Sequence, residues 1–206
     1  MTDTVILHEY APSGNCYKIR LTAALLGIPI ERRHYDIMIG ETRTPAFLAS
    51  VNANGRIPVL QIGDRFLPES NAACYWLAAG SALVPGDRFD HADMLRWMFF
   101  EQYNHEPNVA TLRFWRAFIG EDALSEAQRA QIAAKQAAGE AALALLAQEL
   151  ATRDWLVGWV PSLADICLFA YSHVAGEGGF DLSAWPSLEA WIARVRSLPG
   201  FIELSA

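Results

Sequence analysis

The chain has 206 residues, 52% of them hydrophobic and 19% charged, with a formal net charge of −7 at pH 7. This composition excludes a disordered or fibrous chain, and the acidic balance speaks against nucleic acid or an anionic membrane as the main partner. Three cysteines, Cys16, Cys74 and Cys167, lack the number and spacing of a disulfide framework or a metal-ligand set. That suits a reducing compartment, and no metal is expected. No basic stretch leads into an apolar run at the start, and the most apolar segment, residues 141–150, carries Gln148 and Glu149. Neither a signal peptide nor a membrane span is therefore expected, and the expected compartment is the cytoplasm.

The first third alternates strand and helix signals. Residues 5–9 (Val-Ile-Leu-His-Glu) read as a buried strand. Ile19, Ala23 and Leu26 stand at helical spacing and predict a helix over 16–26, stopped by Gly27. Residues 29–35 read as a second strand. Thr44 before Pro45 is an N-cap followed by proline at the first helical position. Residues 57–62 and 65–67 read as a hairpin turned at Gly63-Asp64, and Ser70 opens a helix to about Ala79. The order β-α-β-α-β-β-α predicts a small α/β domain over residues 1–79.

Residues 80–88, with Pro85 and Gly86, read as a linker. No strand signal follows. Residues 89–118 are helical in pattern with a kink expected at Pro107. Ser125 with Gln128 resembles a capping box opening one long helix to Leu150. Helices over 162–175 and 187–196 complete an all-α second domain, residues 89–206.

Three segments carry chemistry. Ser13-Gly14-Asn15-Cys16 lies between the first strand and the first helix. There, free backbone N–H groups and the helix dipole favour an anion, and a serine hydroxyl can donate to a thiolate. Capping the helix is also a sufficient role for Ser13. In Asn54-Gly55-Arg56-Ile57-Pro58, a proline at a strand start asks for a special backbone. A cis bond there would turn the Ile57 N–H and C=O towards an extended peptide, although a trans edge proline is the common case. Glu69-Ser70 opens the third helix, where Ser70 can hold a carboxylate and Glu69 an ammonium, or the pair can simply cap the helix.

In this order and spacing the three segments resemble the glutathione site of the glutathione transferase superfamily. The resemblance rests on Ser13 five positions before Lys18, on Gly55-Arg56-Ile57-Pro58-Val59-Leu60, on Glu69-Ser70, and on Ser162-Leu163-Ala164-Asp165-Ile166, which is similar to that family's capping box in a buried C-terminal helix. It covers essentially the whole chain. It implies a thioredoxin-like first domain, an all-α second domain, and glutathione as co-substrate. Ser13 aligns with the catalytic serine of serine-type classes such as zeta and tau. Pro58 aligns with a cis-proline, Ile57 with the residue pairing to the cysteinyl part, Glu69 and Ser70 with the γ-glutamyl anchors, and Arg56 with a basic residue near the glycine carboxylate. Cys16, in the first helical turn, is a second catalytic candidate, since a thiol there can have a lowered pKa.

Tyr103, His105, Arg113 and Trp115 fall on the helices that in this family face the glutathione cleft. They are the candidates for the electrophile pocket, with core packing as the ordinary alternative. The resemblance implies transfer of glutathione to a small electrophile, a detoxifying reaction, in a homodimer. A glutathione-dependent disulfide reduction and a non-catalytic interaction module are the other readings of the same sites.

Overall fold

The computed structural model describes residues 4–206. They form two compact units, one running to Ser81 and taking in Leu198–Ala206, the other Ala82–Ser197. The expected architecture, a thioredoxin-like α/β unit and a helical unit, is present.

In the first unit the elements are β1 (Val5–Glu9), α1 (Gly14–Leu25), β2 (Glu31–His34), α2 (Pro45–Ser50), β3 (Val59–Ile62), β4 (Arg65–Pro68) and α3 (Ser70–Ala78). The sheet order is β2-β1-β3-β4. β2 runs parallel to β1, which requires the α1 crossover between them. β3 and β4 are antiparallel to their neighbours. Ile6, Leu7, Leu60, Ile19, Ala73 and Leu77 are buried and form the core where α1 and α3 pack on each other and on the sheet. Thr44 caps α2, its hydroxyl accepting from the Phe47 N–H, with Pro45 at the first position.

Residues 198–206 depart from the expectation. The sequence leaves them in the helical domain; the structure returns them to the first unit, where the Tyr17 hydroxyl donates to the Ile202 carbonyl at 2.6 Å.

The second unit contains α4 (Arg88–Phe100), α5 (Glu106–Arg113), α6 (Glu126–Arg129), α7 (Ile132–Leu150), α8 (Leu163–Ser172) and α9 (Pro186–Arg196). The kink expected at Pro107 is a π-helical turn over Glu101–His105, and a second π turn covers Phe114–Ile119. Pro107 stands in the first turn of α5, where its missing N–H removes a bond from the ladder and lets the preceding turn widen. Ser125 and Gln128 do form a capping box, but it caps only the four-residue α6; the chain resets at Ala130-Gln131 before α7. Among the described residues no helix is long and apolar enough to cross a membrane.

α8 is buried along its whole length. Asp165 accepts from the Ser162 N–H at 2.9 Å, the Ser162 hydroxyl at 3.2 Å, the Leu156 N–H at 3.0 Å and the Trp191 indole N–H at 2.9 Å. One carboxylate thereby ties the loop before α8, the start of α8, and α9.

Candidate glutathione site

Strand register brings the three sequence segments to one end of the sheet. His8 pairs with Val59, and Val59 pairs with Pro68. The chain after β1 leads to Ser13, the chain before β3 carries Ile57-Pro58, and the chain after β4 leads to Glu69-Ser70. Segments up to 57 positions apart in sequence therefore meet at one edge.

Ser13 is the N-cap of α1, with extended backbone, and its Oγ accepts from the Cys16 N–H at 3.4 Å. Its backbone N–H closes a turn onto the Tyr10 carbonyl at 2.9 Å. The cap uses the oxygen as acceptor, so the hydroxyl proton remains available to an acceptor beyond the helix end. Cys16 is placed differently from the reactive thiol that the sequence admits. Its side chain is fully buried, and its Sγ accepts from the Tyr10 N–H at 3.4 Å. Burial pushes the thiol up to about 12, with the Tyr10 hydrogen bond only partly opposing it. Burial in the core favours the protonated thiol, which argues against Cys16 as the nucleophile.

Glu69 has φ +73°, a left-handed backbone value uncommon outside glycine. Such strain, typically about 1–3 kcal/mol, concentrates at ligand sites. The Glu69 side chain is exposed. Ser70, at the start of α3, is buried; its hydroxyl donates to Asn15 Oδ1 at 3.3 Å and accepts from Lys18 Nζ at 3.4 Å. Lys18 is itself fully buried and also donates to Asn71 Oδ1 at 3.2 Å. The Lys18 Nζ donor and the positive end of the α3 dipole thus converge behind Ser70. Asn15 was not singled out from the sequence, because its partner lies 55 positions away.

The Ile57–Pro58 bond is cis, as expected. Among the described residues no hydrogen bond engages the Ile57 backbone. Ahead of it, Gly55 has φ +64°, and a Cβ there would lie 2.7 Å from an Arg43 guanidinium nitrogen. Arg43 donates to the Asn54 carbonyl at 3.0 Å; the positive φ of Gly55 and the Thr42 carbonyl, 3.0 Å from where a Cβ would lie, favour glycine here. Arg56 is exposed.

Of the four candidates on the helical unit, three lie in its interior. His105 is fully buried, with Nε2 3.0 Å from Ser172 Oγ. Arg113 is buried and pairs with Glu177 at 2.7 Å, and Trp115 is 8% exposed. Packing accounts for these three. Tyr103 is 80% exposed.

Comparison with known proteins agrees with this geometry. The family model of the glutathione S-transferase N-terminal domain matches residues 12–79, and that of the C-terminal domain matches residues 105–199. A crystal structure of a glutathione S-transferase from Pseudomonas fluorescens Pf-5 superposes with a TM-score of 0.92 at 42% identity, covering 98% of this chain and 99% of that one. The glutathione S-transferase-like protein LUC7 of Fusarium is 30% identical over 198 residues, 91% of this chain and 86% of that protein. The transcriptional regulator URE2 of Saccharomyces cerevisiae is 24% identical over 97% of this chain and 66% of its own length. With one family's two domain models matched in succession along it, and close structural similarity across nearly its full length, the chain belongs to the glutathione S-transferase family.

Proposed function

We propose that the protein is a glutathione transferase that activates the glutathione thiol for attack on a small electrophile, with Ser13 as hydrogen-bond donor to the thiolate. The observation that carries this reading is the register-driven meeting of three features at one sheet edge. These are the Ser13 hydroxyl at the start of α1, the unengaged Ile57 backbone, and the Glu69-Ser70 start of α3. Glutathione is an extended tripeptide with a thiol between two charged ends, and these groups complement it in order. Ile57 pairs with the cysteinyl backbone. Glu69 takes the γ-glutamyl ammonium, and the Ser70 backbone N–H at the start of α3 takes its carboxylate. Arg56 approaches the glycine carboxylate.

A free thiol titrates near ~8.5, so only a few per cent is thiolate at neutral pH. Lowering that value by ~2 units costs about 2.7 kcal/mol. One charge-assisted hydrogen bond contributes roughly 1.5–3 kcal/mol and a helix N-terminus about 0.3–1 kcal/mol more, and together they reach that figure. The sulfur lone pair then forms a bond to an electrophilic carbon, and the leaving group departs or the carbanion takes a proton. A cytoplasmic homodimer completes the reading.

The likeness to a transcriptional regulator over 97% of this chain supports a second reading, a glutathione-fold module that conjugates nothing. Conjugation of reduced glutathione to an aromatic halide separates the two. The expected result is turnover by the wild type and a ~10–100-fold lower kcat/KM in Ser13→Ala, for the loss of a bond of roughly 1.5–3 kcal/mol. Equal rates in the two proteins would remove Ser13 from the mechanism, and glutathione binding without any turnover would favour the module.

A further inference from the structure

Ser13, Tyr17 and Arg20 stand at i, i+4 and i+7, one stripe along α1. Long side chains on a helix lean back towards its N-terminus, so the stripe directs Arg20 towards the turn that presents Ser13. The Arg20 side chain is 2% exposed. Its Nη2 donates to the carbonyl of Ala11, inside the turn, at 2.8 Å. Its Nε lies 3.2 Å from Oε2 of Glu9, the last residue of β1. The Glu9 carboxylate is fully buried and is also paired with Arg32 and approached by His34.

The remaining acceptors come from the far end of the sequence. Arg20 Nη1 donates to the Ala206 main-chain oxygen at 2.6 Å, and Nη2 donates to the Leu204 carbonyl at 2.9 Å. One turn earlier on the same stripe, the Tyr17 hydroxyl holds Ile202. A planar guanidinium is the side chain able to bond several main-chain oxygens in fixed directions while its charge lies beside a buried carboxylate; a lysine in its place offers one point charge on a flexible stem.

We propose that Arg20, held by Leu198–Ala206, is a positioning residue for Ser13: it fixes the β1–α1 turn so that the Ser13 hydroxyl meets the thiolate of bound glutathione. This rests on the reading of Ser13 given above. Arg20 touches neither Glu69 nor Ser70 nor Ile57 in the contacts described here, so it bears on thiol activation and not on tripeptide affinity.

The test is a pH titration of thiolate absorbance for glutathione bound to wild type, to Arg20→Lys and to a chain lacking Leu204–Ala206, with glutathione affinity measured alongside. Wild type is measured first; bound glutathione that titrates there like the free thiol sinks the Ser13 reading itself. Given a lowered value in wild type, Arg20→Lys is expected to raise it by about one unit. The rate at pH 6.5 then falls ~5-fold and recovers at alkaline pH, while glutathione affinity measured at pH 6.5 stays within about twofold. The shortened chain shifts in the same direction. A residue that merely stabilised the fold would lower the melting temperature and leave the pH profile of the folded fraction unchanged. That outcome in either folded variant overturns the proposal, and so does failure of both variants to fold, which would make Arg20 a stability residue.

Discussion

Ser13 and Cys16 stand three positions apart, and the start of α1 between them gives their side chains different surroundings. Ser13 is the cap, with extended backbone and partial exposure; Cys16 is a turn further in, where the helix faces the core. The sequence carries both as candidates because strand-to-helix placement identifies the anion-favouring position, while the burial that silences a thiol depends on what packs over it. Cys74 and Cys167 are buried as well. A water-soluble disulfide reagent at neutral pH is therefore expected to label none of the three cysteines until the protein unfolds. Rapid labelling of Cys16 in the native state, read by peptide mass, would contradict its burial and restore it as a nucleophile. Glu69, Ser70 and Lys18 stand out by spacing, but the bonds of Asn15 and Lys18 to Ser70 do not show in local sequence, since the partners lie 52 to 55 positions away.

Capping motifs show what is legible at the level of elements. Ser162 with Asp165 and Ser125 with Gln128 are both genuine capping boxes, and local sequence suffices to name them. How far the following helix extends is a tertiary matter. After Ser162 the helix is buried on every side; after Ser125 an exposed four-residue turn breaks before α7. Nor does a capping box reveal that Asp165 also holds the Leu156 N–H and the Trp191 indole, bonds formed only once α9 docks. Asp165→Ala leaves four buried donors, the N–H groups of Ser162 and Leu156, the Ser162 hydroxyl and the Trp191 indole, without their acceptor. At about 1–3 kcal/mol each and with some relaxation, the expected loss is ~3–5 kcal/mol in chemical denaturation. A loss below ~1 kcal/mol would mean that water replaces the carboxylate and that α9 is held by apolar packing alone.

At the scale of the whole molecule, the order of elements and the division into an α/β unit and a helical unit follow from hydrophobic periodicity and from the absence of strand signals after residue 80. The return of Leu198–Ala206 to the first unit was not legible. Pro199-Gly200 reads as a helix stop, and the segment beyond has no periodic pattern, only main-chain oxygens that Tyr17 and Arg20 collect. The first unit also exposes Phe66, Tyr75 and Trp76. Apolar surface of this kind accords with the proposed homodimer. Light scattering at micromolar concentration is expected to give about twice the 22.8 kDa of one chain; a mass of one chain would exclude the dimer while leaving the thiol site standing.

We propose that this end of the sheet turns a bound thiol into a thiolate. Ultraviolet titration of glutathione in complex with the wild-type protein and with Ser13→Ala tests this most directly. The expected result is a bound thiol titrating ~2 units below the free value of ~8.5 in wild type, with most of that shift lost in Ser13→Ala. Glutathione that binds to the wild type and still titrates near ~8.5 would contradict it.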